Sequence, residues 1–268
     1  IAQAGKCFRN EITPGNFIFR TLEFDLMEFE YFIHEKDWDE TFKYWLEEMH
    51  KWVDIVGIDK TKTRVREHSQ DELSHYSKKT VDIEFETPFG WKELYGLAYR
   101  TNFDLKNHTE KSGVELSYLD PYTNEKYIPH VIEPTFGLSR TFLMVLLSSY
   151  HEEEVKDAEG EDATRVVLKL KNSLAPFKVA VLPLMNKLND HALKVWDTLK
   201  NDFHVDFDTT GSIGKRYRRQ DEIGTPYCVT IDFDTIEKDQ AVTVRDRDTT
   251  QQERVKIENL SSYLKQKL

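Results

Sequence analysis

Cys7-Phe8-Arg9-Asn10-Glu11, a break at Pro14-Gly15-Asn16, then Phe19-Arg20-Thr21-Leu22-Glu23-Phe24-Asp25-Leu26-Met27-Glu28 is the stretch from which the fold is read. It predicts two strands around a short loop, with arginines and carboxylates planted among aromatics. Residues two apart on a strand share a face, so their even separations turn Arg9 the same way as Glu11, and Arg20 the same way as Glu28. Arginines held on stiff strands suit anionic phosphate, and buried glutamates suit an ammonium or amino group. A hydrophobic hairpin carrying such groups points to a charged ligand. Taken singly, Arg9 and Glu11 read equally well as a structural ion pair.

The 268 residues suffice for one large domain or two ordinary ones, and 39% hydrophobic with 12% aromatic residues can build a core. Cys7 and Cys228 lie far apart with no CxxC or His/Cys cluster. That argues against a zinc site and a disulfide framework, and fits a reducing compartment. His68, His75 and His130 show no ligand spacing either. The longest apolar run, Phe142 to Leu147, is far too short to span a bilayer. The chain opens on Ile1, directly in structured material, and is expected to be a piece of something longer.

Net charge is −11, unevenly spread. Residues 1–172 hold 22 Lys+Arg against 33 Asp+Glu, whereas residues 173–268 hold 15 of each. Within the neutral part, Gly214-Lys215-Arg216-Tyr217-Arg218-Arg219 gathers four cations and an aromatic in six residues. A local patch is what nucleic acid needs, so RNA stays open beside the plainer reading of a solvated helix face.

Apolar residues Trp38, Phe42, Trp45, Met49, Trp52 and Val53, spaced by threes and fours, predict an amphipathic helix over 36–56 with a core-facing stripe. Strands follow at 62–67, 80–86 and 93–99, the last two joined by a Pro88-Phe89-Gly90 turn, then a helix at 102–112 and strands near 114–118 and 126–132. Gly137 opens an apolar helix to about Ser149. Residues 151–163 read as a mobile charged loop. Beyond strand-like 165–170 and Ala175-Pro176, alternating strands and helices predict a second, α/β domain with a largely parallel sheet. The expected division is 1–172 and 173–268, an α+β chain whose first part is a mainly antiparallel sheet with helices.

Six collinear signatures carry a family resemblance. Phe8-Arg9-Asn10-Glu11 with Phe19-Arg20-Thr21-Leu22-Glu23-Phe24 resembles motif 2 of class II aminoacyl-tRNA synthetases, in its glycyl-tRNA synthetase form. Lys92-Glu93-Leu94-Tyr95-Gly96, Arg100-Thr101-Asn102-Phe103-Asp104-Leu105 and Tyr127-Ile128-Pro129-His130-Val131-Ile132-Glu133-Pro134 are similar to the same family in the same order. Gly137-Leu138-Ser139-Arg140-Thr141 resembles motif 3, and the tail from LAPFKVAVLPL onward looks like its anticodon-binding domain. Motif 1 is absent, which implies an incomplete catalytic core that is crippled alone.

The resemblance implies ATP-dependent activation of glycine and its transfer to tRNA(Gly) in the cytoplasm, with Mg²⁺, by an enzyme dimeric at full length, and with neither membrane nor DNA as a partner. It assigns ATP to Arg9, Asn10, Glu11, Phe19, Arg20, Thr21, Leu22, Glu23, Phe24, Glu93, Leu94, Gly137, Leu138, Ser139 and Arg140. Arg9 would grip the α-phosphate, Arg140 the γ-phosphate, Glu93 a Mg²⁺ ion, and Phe24 the adenine. Glycine would be held by Phe24, Asp25, Leu26, Met27, Glu28, Glu133, Pro134, Thr135, Phe136 and Gly137, with Arg20 suited to its carboxylate. Lys215, Arg216, Arg218 and Arg219 are the tRNA candidates. Leu22, Gly15, Asn102 and Thr135 depart from common family residues, and the first two remove positive charge near the acceptor end. The rival readings are a class II synthetase for threonine or proline, and a non-catalytic synthetase-like tRNA-binding module.

Overall fold

The computed structural model describes residues 1–156 and 160–268, in two units dividing between Ser148 and Ser149. The first unit contains β1 (Ala2–Phe8), β2 (Glu23–Phe29), β3 (Tyr31–Ile33), α1 (Trp38–Ile55), β4 (Thr63–Glu67), β5 (Lys79–Thr87), β6 (Gly90–Thr101), α2 (Phe103–Ser112), the short pair β7 (Tyr118–Leu119) and β8 (Lys126–Tyr127), β9 (His130–Gly137) and α3 (Leu138–Ser149). Its main sheet is antiparallel throughout, ordered β1-β2-β9-β6-β5-β4, with β3 also paired to β9.

Directly paired residues share a face, so the registers sort the sheet into two surfaces. Met27, Phe136, Tyr95 and Ile83 form one cross-strand row. This surface is apolar, and α1 packs on it: Trp52 meets Phe136, Trp45 meets Phe29, and Trp38 stacks on Tyr99 at 4.7 Å. The predicted Trp38–Val53 stripe is thus core, with Met49 and Val53 fully buried. The next row, Glu28, Thr135, Gly96, Asp82 and Arg66, lies on the opposite face and is polar from end to end.

Residues 9–22 do not continue the first two strands. Asn16 and Phe17 adopt positive φ (56° and 55°), Gly15 and Arg20 form an isolated bridge, and the Arg9 amide donates to the Leu22 carbonyl. Pro14 offers no N–H, and consecutive left-handed residues close a tight turn instead of extending the ladder. The face-sharing expected for Arg9, Glu11 and Arg20 therefore does not apply. Arg20 instead reaches Glu11 at 3.5 Å.

The second unit holds β10 (Tyr150–Lys156), β11 (Asp162–Leu168), β12 (Val179–Pro183), α4 (Asn189–Leu199), β13 (Val205–Phe207), α5 (Ile213–Ile223), β14 (Tyr227–Ile231), β15 (Ala241–Asp246), β16 (Gln252–Lys256) and α6 (Ile257–Lys267). The five-stranded sheet runs β13-β12-β14-β15-β16; only the β12 pairings are parallel, and β14-β15-β16 is antiparallel. Connections after β14 and β15 are too short for a crossover, so the expected largely parallel sheet is mixed. Its core includes Val179, Val181, Val195, Leu199, Val229, Ile231 and Leu264.

The stretch read as a mobile loop is largely a hairpin: Tyr150–Lys156 pairs with Asp162–Leu168, and residues 157–159 lie outside the described residues. Arg165, at 3% exposure, binds Asp221 of α5 (2.8 Å) and Glu153 of β10 (2.6 Å). Residues 149–172, expected with the first domain, thereby pack into the second unit.

Candidate active site

The polar sheet face, the 9–22 loop and the start of α3 line a cleft. Arg9, Glu11, Phe19, Arg20, Thr21, Phe24, Asp25 and Leu26 line it from the loop and β2; Glu93, Leu94 and Gly96 from β6; Thr135, Gly137, Ser139 and Arg140 from the β9–α3 junction. Residues from three separate signatures thus meet in one cavity. Gly96 forms part of its floor: a Cβ there would lie 3.9 Å from an Asp82 oxygen and 4.0 Å from a Glu93 oxygen.

The cations are placed differently. Arg9 is exposed, and its guanidinium lies 5.7 Å from the Phe24 ring centroid. Arg140 is held on the protein's own acceptors: it donates to the Phe19 carbonyl (3.3 Å) and the Glu93 carbonyl (3.0 Å), and its Nη1 lies 3.3 Å from the Glu93 carboxylate. Its guanidinium also covers the Phe19 ring at 4.3 Å. Thr21 donates to the Glu23 carbonyl, and Ser139 accepts from the Asp25 amide at 3.4 Å, tying α3 to β2.

Beside the cleft, Glu28, Glu30 and Glu133 bring carboxylate oxygens within 4.8 Å of one another. The Thr135 hydroxyl donates to Glu28 (3.4 Å), and Arg100 donates to Glu133 (2.5 Å) and Asp104 (2.8 Å). Burial raises the Glu133 carboxyl to about 7; Arg100 opposes the rise, while Glu30 and Glu28 add to it. Burial likewise raises Glu30. Crowded, part-buried carboxylates facing a single guanidinium favour a second cation in their midst.

Other predicted residues stand outside the cleft. Met27, Pro134 and Phe136 belong to the apolar face by strand alternation, so their contribution is packing. Asn10 and Leu22 are exposed on the loop, Glu23 faces Lys6 at 3.5 Å, and Leu138 begins α3 without lining the cavity. Arg100 is the arginine among the glutamates, while Arg20 lines the cleft. Arg100 and Glu30 were missed as site residues, although the Glu28-Phe29-Glu30 alternation carried a signal for Glu30.

Among the tRNA candidates, Arg216 is 3% exposed and donates to the carbonyls of Pro183, Thr209 and Gly211, which makes it part of the fold. Arg219 is bound to Asp208, and Arg218 donates to the Thr164 carbonyl. The 3.6-residue period turns Arg216 inward with Gln220, a distinction that a run of cations in sequence conceals. Lys215 remains exposed.

Comparison with known proteins bears on both units. The anticodon binding domain family matches residues 178–267. The whole chain is 54% identical to the glycine–tRNA ligase of Alkaliphilus metalliredigens, 54% to that of Clostridium acetobutylicum and 52% to that of Bacillus cereus. Each alignment covers 100% of this chain and 57% of the relative, so the chain spans a little over half the length of the curated relatives it matches. This chain is thus similar over its whole length to the corresponding part of curated glycine–tRNA ligases.

Proposed function

We propose that the chain carries the glycine-activating centre and the anticodon-binding domain of a glycine–tRNA ligase. The observation that supports this best is the convergence of Arg9, Arg20 and Arg140 with Phe24 in one cleft, next to the Glu28–Glu30–Glu133 cluster on the same sheet face. Adenylate formation concentrates charge on phosphoryl oxygens, and fixed cations are the resource such a reaction needs. The glycine carboxylate oxygen attacks the α-phosphorus of ATP; the bond from that phosphorus to the bridging oxygen breaks, and pyrophosphate leaves with the electron pair.

In this reading Arg9 binds the α-phosphate, Phe24 stacks on adenine and Arg140 binds the terminal phosphate. Glu28 and Glu133 receive the glycine ammonium, and Arg100 keeps Glu133 oriented toward it. Glu93, half-exposed in the cleft, with Asp82 beyond Gly96, fits a Mg²⁺ ion that takes most of its ligands from phosphates and water. The ion would neutralise charge on the polyphosphate. The tRNA would engage the second unit, with Lys215 among the contacts. No described helix is long and apolar enough to cross a membrane.

The test is isotope exchange between ATP and pyrophosphate in the full-length protein that contains this chain. Glycine should stimulate exchange at least about a hundredfold over alanine, threonine or proline, because an added side chain collides with a pocket sized for none. Equal stimulation by any of these would refute the specificity; no exchange with any amino acid would refute the activity.

A further inference from the structure

A second, more open cavity adjoins the first and shares Phe19, Arg20, Glu93 and Arg140 with it. Its other walls are the turn Thr13–Asn16 and the β6 residues Trp91 and Lys92. Three cations therefore face this space: Arg20, Lys92 and Arg140. Two of them are already engaged, Arg20 with Glu11 and Arg140 with Glu93. Lys92 differs. Among the described residues its side chain makes no ion pair or hydrogen bond, and its ammonium rests 5.9 Å from the Phe89 ring. The backbone at Lys92 is anchored in the β5–β6 ladder opposite Phe85, so its stem starts from a rigid position.

We infer that Lys92 is a phosphate-binding residue that receives the pyrophosphate leaving group in this second cavity; the inference rests on the activity proposed above. As the bond to the α-phosphorus breaks, the bridging oxygen takes the electron pair and charge builds on the departing group. Arg140 spans both cavities and meets the polyphosphate first. Lys92 lies on the side away from Arg9 and Phe24, where charge must be neutralised as the group moves out. A flexible ammonium suits a ligand that has to bind and then leave.

The experiment measures binding of inorganic pyrophosphate to the full-length protein by calorimetry, with Lys92→Ala and Lys92→Arg beside the unaltered chain. Lys92→Ala should weaken pyrophosphate binding about tenfold, the worth of one charge-assisted contact. It should raise KM for pyrophosphate in the exchange reaction by a similar factor, and leave KM for glycine unchanged. Lys92→Arg should restore most of the loss. Equal pyrophosphate affinity in the unaltered and Lys92→Ala proteins, or no pyrophosphate binding at all, overturns the inference. A parallel rise in KM for glycine and for pyrophosphate overturns it too, since that marks general damage. Lysine-dependent pyrophosphate binding without any glycine-stimulated exchange would refute the proposed activity alone.

Discussion

Glu133 concentrates the site's electrostatics in one side chain. Its raised pKa, about 7, comes first from burial, against Arg100, with Glu30 and Glu28 pushing the same way as burial. The native state therefore holds a proton there that the unfolded chain has lost above its ordinary carboxylate range. Stability contributed by this group is greatest at low pH and declines as pH rises from about 4.5 toward 7. Ligand binding runs the other way, because an ammonium needs the ionised carboxylate. KM for glycine should rise as pH falls below 7, by up to about tenfold per unit, and Glu133→Gln should raise KM and flatten that profile. An unchanged profile in the variant would assign the titration elsewhere. Glu28 and Glu133 were singled out in the sequence and the fold brings them together, whereas Arg100, though it opens one of the signatures, was given no role there, because its contact with Glu133 depends on the register of β6 against β9. Arg216 escaped for a related reason, since a cation in a basic run looks exposed until the helix phase is known.

Secondary-structure elements were read best where one periodicity dominated. The helix expected over 36–56 is Trp38–Ile55, and the strands of β5 and β6 lie within a few residues of their expected positions, because alternating Val81, Ile83 and Phe85 leave little choice of period. The β10–β11 hairpin was hidden by its composition. Glu152, Glu153 and Glu154 resemble a solvated tract, and only the partner strand reveals that Glu153 serves Arg165 and Lys169. β16 went unread for a similar reason, its Gln252-Glu253-Arg254 carrying no apolar alternation. The hairpin's worth can be measured. Arg165→Ala removes a 3%-exposed guanidinium that joins β10, α5 and the Arg247 carbonyl, leaving Glu153 with Lys169 alone and Asp221 with Arg245 alone. The loss should be about 3 kcal/mol in denaturant unfolding of the second unit. A change below about 0.5 kcal/mol would mean that Arg245, which also binds Asp221, carries the network alone.

At the scale of the whole molecule, the division between Ser148 and Ser149 makes a prediction about folding units. A protein of residues 149–268 retains Arg165 with its partners and should unfold cooperatively. One that begins at residue 173 loses β10 and β11, leaving Asp221 and the Leu170-facing side of Gly224 uncovered, and should melt at least about 5 °C lower. Equal melting temperatures would show that the hairpin is an appendage. In the first unit, the two faces of the antiparallel sheet have a different consequence. Under the proposed function, neighbouring letters of β9 should answer to separate selective pressures: Ile132, Pro134 and Phe136 to the survival of the native state, Glu133 and Thr135 to the chemistry performed in it. Along such a strand, tolerance to change should flicker with a period of two, abundance failing at one letter and turnover at the next.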